Sequence, residues 1–351
     1  MISKNRYYSA LNALKLSKNS FQNALAFFAT VWGIISAILG NYTLLVLIVS
    51  TIAMLIYDIT IFIISIKQIH KGFFPVHLHN INGNVELQVN DYQVNMEHYI
   101  HNCLDNNQTN KLKDTAFVMG IDLSGDKSTF TKSGIVHDVL AYLKANYKCS
   151  SGLDVDDEVQ QLLDKERGRI ARERIKQLTT EMKNRDLDIE WKARLSSFLQ
   201  DPDWGKSFIF GDCINLTIDL IYHDPTSNKQ IPFSINLVFV VNSGKRYGYS
   251  NLKEEVIGKN HGKEIVPTVF NYLEGLREIK TVMIGAMGTN GENQNYSVIV
   301  AQTINEFVRV IVEDPKTKLE DLILSIRESD YSKESSFKQL ADYLDTCSKF
   351  Y

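Results

Sequence analysis

The sequence predicts an α/β protein with two parts: an N-terminal two-helix transmembrane hairpin and a three-layer α/β/α domain that carries a helical insertion. Three observations predict this organisation. Two long apolar runs lie within residues 21–71, segments of strand and helix character alternate from about residue 75 onward, and a densely charged stretch at residues 154–200 interrupts the alternation. Alternation of strands and helices is typical of layered α/β folds.

Composition allows one membrane segment and one domain in a chain of 351 residues. The formal net charge is -3, yet residues 1–57 contain Lys4, Arg6, Lys15 and Lys18 and no acidic residue. The remainder of the chain is therefore acidic. The 4 cysteines lie far apart, at Cys103, Cys149, Cys213 and Cys347. This spacing predicts neither a zinc site nor a disulfide framework, and it fits a reducing compartment.

The apolar runs predict two membrane spans. Residues 21–39 carry no charge, and at about 1.5 Å per residue they reach roughly 28 Å, close to the thickness of the hydrocarbon core. Gly40 and Asn41 separate this run from a second one at residues 42–66, so the two spans form a hairpin. A buried helical pair in a globular core is the less favoured alternative, because apolar runs of about 18 residues are rare in soluble folds. A cleaved signal peptide fits poorly, because a second run follows at once.

Flanking charges predict the orientation of the hairpin. Basic residues precede the first span, and Lys67 and Lys71 follow the second, so both ends are expected in the cytoplasm. Residues 1–20 form the basic cytoplasmic N-terminal segment, either as a helix on anionic headgroups or as a basic tail. Asp58 lies inside the second span, where a carboxylate costs at least about 2.5 kcal/mol unless it is neutral, paired or facing water. It either lines a polar seam or pore in an oligomer, or reaches the cytoplasmic headgroups and basic flank.

The domain is predicted to span residues 75–351. Its expected strands are residues 85–89, 116–121, 207–218, 234–241, 281–286 and 319–326. Its expected helices are residues 134–146, 155–184, 263–278, 298–312 and 335–346. The insertion carries a narrow apolar stripe of Val159, Leu162, Leu163, Ile170, Ile175, Leu178 and Met182. This stripe either packs on the domain or on a neighbouring subunit, or belongs to a solvated helix.

Two loops at strand ends are candidates for binding phosphate. Residues 281–296 run from a strand into a Gly-rich turn with Gly285, Gly288 and Gly291, and a helix follows. Glycines let the backbone N–H groups approach an anion, and a helix N-terminus adds a favourable dipole. A plain strand-to-helix turn is the alternative. Residues 123–132, rich in Ser, Thr and Gly, form a second such loop. Two loops of this kind suit one pyrophosphate, and without a GxxxxGK[ST] motif P-loop hydrolysis is not predicted.

These segments resemble a macro domain, the ADP-ribose-binding α/β fold, over most of residues 80–346. The strand at residues 85–89 followed by Asn90-Asp91-Tyr92 is similar to the family's first strand, and the resemblance implies that Asp91 binds the adenine amino group. The strand at residues 116–121 with the later Gly134-Ile135 pair, the IGAMGTNG turn and the LEDLILSIRESDY segment are similar to later family elements. The implied ligand-binding residues are Asp91, Asp122, Ser133, Gly134, Ile135, Val136, Gly285, Gly288, Thr289, Asn290, Gly291, Asp330 and Tyr331.

The chain departs from the family's hydrolases, which use a loop asparagine and a run of glycines where this sequence has Asp122 and GDKSTFTKSG. Binding is therefore expected rather than turnover, although residual ADP-ribose hydrolase activity stays open. No metal or cofactor is expected, because His77, His79, His137, His223 and His261 form no ligand motif. His137 is expected near the pyrophosphate, and Lys245 and Arg246 either add charge to the site or are solvated.

Two spans fused to a macro-like domain resemble the type II Thoeris membrane effectors of bacterial anti-phage defence. The resemblance implies that a TIR-domain enzyme makes an ADP-ribose-derived signal, such as histidine-linked ADP-ribose or a cyclic ADP-ribose. It also implies an inner-membrane homo-oligomer that disrupts the bilayer and causes abortive infection, without nucleic acid. The alternatives are a membrane-anchored ADP-ribosyl hydrolase, a nucleotide-gated membrane sensor of another α/β fold, and a structural anchor.

Overall fold

The computed structural model describes the domain and not the predicted hairpin. It covers residues 73–78, 83–121, 134–184, 189–201, 204, 207–224, 229–242, 244–246, 254–256, 262–285, 287 and 296–326. Within these ranges, no helix has both the length and the apolar character needed to cross a bilayer. The two predicted spans, Asp58 and the predicted helix at residues 335–346 lie outside the described residues, so these predictions stay predictions.

The strands of the described residues form one large mixed sheet and one small hairpin. In chain order they are β1 (Phe73–Leu78), β2 (Gly83–Val89), β3 (Thr115–Ile121), β4 (Lys148–Cys149), β5 (Cys213–His223), β6 (Gln230–Val241), β7 (Gly244–Arg246), β8 (Glu254–Val256), β9 (Thr281–Gly285) and β10 (Asp321–Ile326). The large sheet has the order β1-β2-β10-β9-β3-β6-β5-β4, and β7 pairs only with β8. Strands β2, β10, β9, β3 and β6 run parallel, whereas β1, β5 and β4 join antiparallel neighbours.

Helices cover both faces of this sheet. They are α1 (Tyr92–Asp105), α2 (Thr109–Lys113), α3 (Ile135–Asn146), α4 (Val155–Asn184), α5 (Ile189–Gln200), α6 (Gly262–Gly275) and α7 (Tyr296–Glu313). One buried cluster joins α1, α2, α3 and the first half of α4 to the sheet. A second cluster joins α6 and α7 to the opposite face. The predicted three-layer α/β/α architecture is therefore present in the described residues.

The central strand β3 shows why the sheet is buried on both sides. Side chains alternate between the two faces of a strand. Phe117 and Met119 belong to the first cluster, whereas Ala116 and Val118 belong to the second. A strand covered on both faces has a nearly continuous apolar sequence, as expected for the parallel part of a sheet.

The insertion forms helices α4 and α5 and packs mainly on its own domain. Val159 and Leu163 of the predicted apolar stripe are fully buried in the first cluster, and Leu162 and Ile170 pack against it. Leu178 and Met182 pack in a separate small cluster with Phe198 and Trp204. Ile175 is the exception, with 38% of its surface exposed.

Some predicted boundaries were wrong. The strand expected at residues 207–218 begins only at Cys213 and extends to His223. Gly211 has a φ of 91°, which the residues of a regular strand do not adopt. Its N–H donates to the carbonyl of Val241 at 2.8 Å, so residues before Cys213 form a turn. Phe208 is buried in the core, and its apolar character reflects packing rather than pairing. The helix expected at residues 263–278 ends at Gly275.

Strand β1 joins the sheet at the edge next to β2 and runs antiparallel to it. Phe73 lies opposite Gln88, whereas Leu78 lies opposite Gly83. The first residue of β1 is thus at the carboxyl end of β2. This strand, β4, α1, α2 and the β7–β8 hairpin were not predicted, and α5 was predicted only as part of the helical insertion.

Candidate functional site

The parallel strands end at one common edge, and the chain leaves two of them in opposite directions. After β3 it continues to α3 in the first helical layer. After the adjacent β9 it continues to α7 in the second layer. Adjacent strands whose connections pass to opposite faces create a crevice outside their carboxyl ends, where ligands of open α/β sheets bind. The two loops predicted to bind phosphate start at these two strands.

Strand β9 lies between β3 and β10 at this edge. Its ladder with β3 includes Ile284 opposite Val118, and β3 pairs with β6 as far as Ile121. On the other side, Ser325 of β10 lies opposite Gly285. Gly285, the last residue of β9, therefore lies at the carboxyl edge of the parallel strands.

Two helix starts meet at Gly285. An ideal Cβ on Gly285 would lie 3.5 Å from Cδ2 of Tyr92 and 3.8 Å from Cδ1 of Ile135. Tyr92 is the first residue of α1 and directly follows Asp91. The structure therefore brings the start of the helix behind Asp91, the predicted residue Ile135 and the predicted residue Gly285 together.

Tyr92 was not predicted as part of the site. Its hydroxyl donates to the carbonyl of Met283 at 3.1 Å, and the ring is almost fully buried. Burial raises the pKa of Tyr92 well above its usual value, so the hydroxyl remains a neutral donor. This contact fixes the start of α1 against β9.

Gly134 and Val136 have different positions at the start of α3. Gly134 is the N-cap of α3 with φ 101° and ψ 178°, a conformation that only glycine adopts without strain. The side chain of Val136 lies in the first buried cluster, whereas His137 in the same helical turn is half-exposed. The glycine thus shapes the chain where the predicted loop enters α3.

Helices α1, α3 and α7 each follow a parallel strand, so their N-termini lie at this same edge. Free N–H groups and the helix dipole make such ends attractive to anions. Asp91, the N-cap of α1, is exposed there. The edge therefore combines helix N-termini with exposed carboxylates, those of Asp91 and of Asp138 in the first turn of α3.

A buried polar network fixes the turn that carries Asp91. Asn95 donates from Nδ2 to Oγ of Ser325 at 2.7 Å and to the carbonyl of Gln88 at 3.3 Å. Ser325 in turn donates to the carbonyl of Asn90 at 3.3 Å. Both Asn95 and Ser325 are buried. The contacts of Ser325 with Asn95 and Asn90 join segments that are distant in sequence, and they were not predicted.

The other predicted site residues, Asp122, Ser133, Gly288, Thr289, Asn290, Gly291, Asp330 and Tyr331, lie outside the described residues. Their roles stay predictions. Among the residues that the structure does describe, His, Cys, Asp and Glu side chains form no group of three that could hold a metal ion.

Fold and edge together define a three-layer α/β/α domain with a crevice at the carboxyl ends of its parallel strands. No family model matches the chain, and no curated protein matches it. Solved structures of a macrodomain from Oceanobacillus iheyensis are similar to it. A mutant form has 11% identity and a TM-score of 0.38, covering 78% of this chain and 98% of that chain. The same macrodomain with ADP has 10% identity and a TM-score of 0.37, covering 78% and 97%.

Proposed function

We propose that this domain binds an ADP-ribose-type nucleotide along the carboxyl edge of its parallel strands, with the diphosphate in the crevice between β3 and β9. The observation that carries the proposal is the position of Gly285. This glycine lies at the carboxyl end of β9, and the first residues of α1 and α3 pack against it. Helix N-termini brought together at a glycine in this way suit a diphosphate.

In this proposal, Asp91 binds the base at one end of the ligand. Its carboxylate is exposed at the carboxyl end of β2, two strands from β9. A carboxylate accepts hydrogen bonds from an amino group, as adenine would offer. The network of Asn95 and Ser325 fixes the turn on which Asp91 lies.

Thermal unfolding of the full chain in detergent tests the binding proposal. We expect ADP-ribose, cyclic ADP-ribose or histidine-linked ADP-ribose to raise the melting temperature, because a ligand at about 100 times its Kd stabilises the fold by about 2.7 kcal/mol. Asp91→Ala is expected to weaken adenine-containing ligands and leave ribose 5-phosphate unaffected. Asp105→Ala is the matched control, since Asp105 is an exposed acid at the other end of the same helix. No shift with any of these nucleotides would contradict the proposal.

We also propose that nucleotide binding controls a membrane effector, in which signal-bound domains assemble and the N-terminal hairpins disrupt the inner membrane in anti-phage defence. The support is in the sequence: one uncharged apolar run, a second apolar run that contains Asp58, and basic flanks. Cells that contain the signal nucleotide are expected to depolarise when they express the full chain, and not when residues 1–71 are removed. Depolarisation by the shortened chain would contradict membrane disruption by the hairpin.

Analysis of the ligand after incubation with the protein distinguishes a sensor from a hydrolase. A sensor returns ADP-ribose-type ligands chemically unchanged after incubation and releases no ADP-ribose from a modified protein. Release that depends on Asp122 would instead indicate the membrane-anchored hydrolase.

A further inference from the structure

Asn242 lies at the carboxyl end of β6 and covers a glycine of the neighbouring strand. An ideal Cβ on Gly120 of β3 would be only 2.2 Å from Nδ2 and 2.7 Å from Cγ of Asn242. The asparagine amide thus occupies the space that a side chain at position 120 would need. Any larger residue at position 120 would force the amide to move.

The backbone of Asn242 is fixed at this edge. Its N–H donates to the carbonyl of Ile121 at 3.2 Å, one residue beyond the last paired residues, Ile121 and Val241. The carbonyl of Val241 accepts from the N–H of Gly211 at 2.8 Å, and the N–H of Val241 donates to the carbonyl of Asp212 at 2.9 Å. The position of the amide is therefore set by two strands and a turn, rather than by a free loop.

The amide of Asn242 retains its capacity for hydrogen bonds. The residue is half-buried, and no side-chain hydrogen bond of Asn242 to another described residue is present. A carboxamide offers two N–H donors and one oxygen acceptor. Such a group can donate to one hydroxyl and accept from another, which suits the neighbouring hydroxyls of a sugar.

Sheet order places Asn242 at the opposite end of the site from Asp91. Asp91 follows β2 and Asn242 follows β6, and β10, β9 and β3 lie between these strands. Four steps of about 4.8 Å separate β2 and β6, or about 19 Å along the edge. A nucleotide with its base at Asp91 and its diphosphate between β3 and β9 would extend its remaining part toward β6.

We propose that Asn242 is a specificity-determining residue that binds the hydroxyl groups of the sugar beyond the diphosphate, and so distinguishes ADP-ribose from ADP. The inference rests on the proposed nucleotide site. It adds a residue that follows β6 to that site, and it identifies the far end of the ligand as a sugar.

Calorimetric titration of the purified full chain with ADP-ribose and with ADP tests this inference. We expect Asn242→Ala to weaken ADP-ribose binding about three- to tenfold, the loss of one or two hydrogen bonds, and to leave ADP binding unchanged. Gly120→Ala should reproduce this selective loss by displacing the amide. The matched control is Asn271→Ala, because Asn271 lies on α6 and pairs with Arg309 at 2.6 Å.

The outcomes separate this inference from the proposed function. If the wild-type chain binds both ligands and Asn242→Ala weakens both equally or neither, the role of Asn242 is overturned while the nucleotide site stands. If the wild-type chain binds neither ADP-ribose nor ADP, both proposals are overturned. A lower melting temperature of Asn242→Ala with unchanged affinities identifies a purely structural residue and also overturns the inference.

Discussion

Arg174 of α4 donates from Nη2 to both carboxylate oxygens of Asp212, at 2.8 and 2.6 Å. Its Nη1 donates to the carbonyls of Trp204 and Ser207, and the guanidinium lies 5.6 Å from the ring centroid of Trp204. Asp212 also accepts from the N–H of Ile209 at 2.7 Å. One ion pair thus connects the helical insertion to the turn that precedes β5.

Loss of Arg174 is expected to be costly for the fold. The side chains of Arg174 and Asp212 are only 10% and 15% exposed, and removal of one partner from such a pair typically costs about 3–5 kcal/mol, because a buried charge is left unpaired. Burial already raises the pKa of Asp212, and Arg174 opposes that rise. Urea unfolding of Arg174→Ala measures the loss. Arg169→Ala, which removes the exposed pairs with Glu166 and Glu173, should cost about 1 kcal/mol or less. Equal losses would contradict the prediction.

Because Gly134 has a positive φ, a residue with a side chain at this position is expected to be strained. Gly134→Ala is expected to lower the free energy of unfolding by about 1–3 kcal/mol. Space is not the reason, because an added Cβ would meet no atom within 4 Å. Gly275→Ala is the matched control: its Cβ would also have open space, but no positive φ applies there. It should be neutral or slightly stabilising. If both variants unfold at the same urea concentration, backbone strain at Gly134 is excluded.

Alkaline pH is expected to destabilise the domain. Burial raises the pKa of Cys213 to about 12 and that of Cys149 to about 11, above the ordinary thiol value of 9.0. Folding therefore favours the neutral thiol. The stability that results from this difference in pKa is fully present below pH 9 and is lost as the pH rises toward 12. Each pKa unit of difference corresponds to about 1.4 kcal/mol. Melting temperatures measured between pH 7 and pH 11 should fall above pH 9. The fall should be shallower in Cys213→Ala, and identical slopes would refute the assignment.

The network beneath Asp91 is expected to control the order of the β2–α1 turn. Ser325→Ala removes the shortest hydrogen bond of Asn95 and a donor to the carbonyl of Asn90. Asn95 keeps longer hydrogen bonds to the carbonyls of Gln88 and Asn90, so the expected cost is about 0.5–1.5 kcal/mol for each hydrogen bond lost. Hydrogen–deuterium exchange should increase at residues 90–92. Ser234→Ala removes only an exposed hydrogen bond to Asp219 and should leave exchange in this turn unchanged. Unaltered exchange in Ser325→Ala would show that other contacts order the turn.

The parts of the fold predicted from the sequence are those with a local signal. The buried strands β3 and β9 are short apolar runs, and β2 alternates apolar with polar residues. The predicted bounds of α4 agree with the structure. Helix α1 was missed although Tyr92, Met96 and Ile100 show helical spacing, because Asn and His residues mask that pattern. The start of β5 was wrong because the conformation of Gly211 depends on its contact with Val241, which no local pattern reveals.

The site was less predictable, because its contacts join distant segments. Gly285 meets Tyr92 and Ile135 only because the sheet order makes β9 and β3 neighbours. Asn242 became a candidate only through its contact with Gly120. The residue types that favour phosphate binding were visible in the sequence, but the contacts at Gly285 and the polar network beneath Asp91 depend on strand order and register.

The register of β1 has a consequence for how the domain would face a bilayer. Phe73 lies opposite Gln88, at the carboxyl end of β2, and the predicted second span is followed by only a few residues before β1 begins. If the predicted hairpin spans the membrane, the chain that leaves it enters the domain at the crevice edge. The proposed nucleotide site and the connection to the hairpin then share one side of the domain.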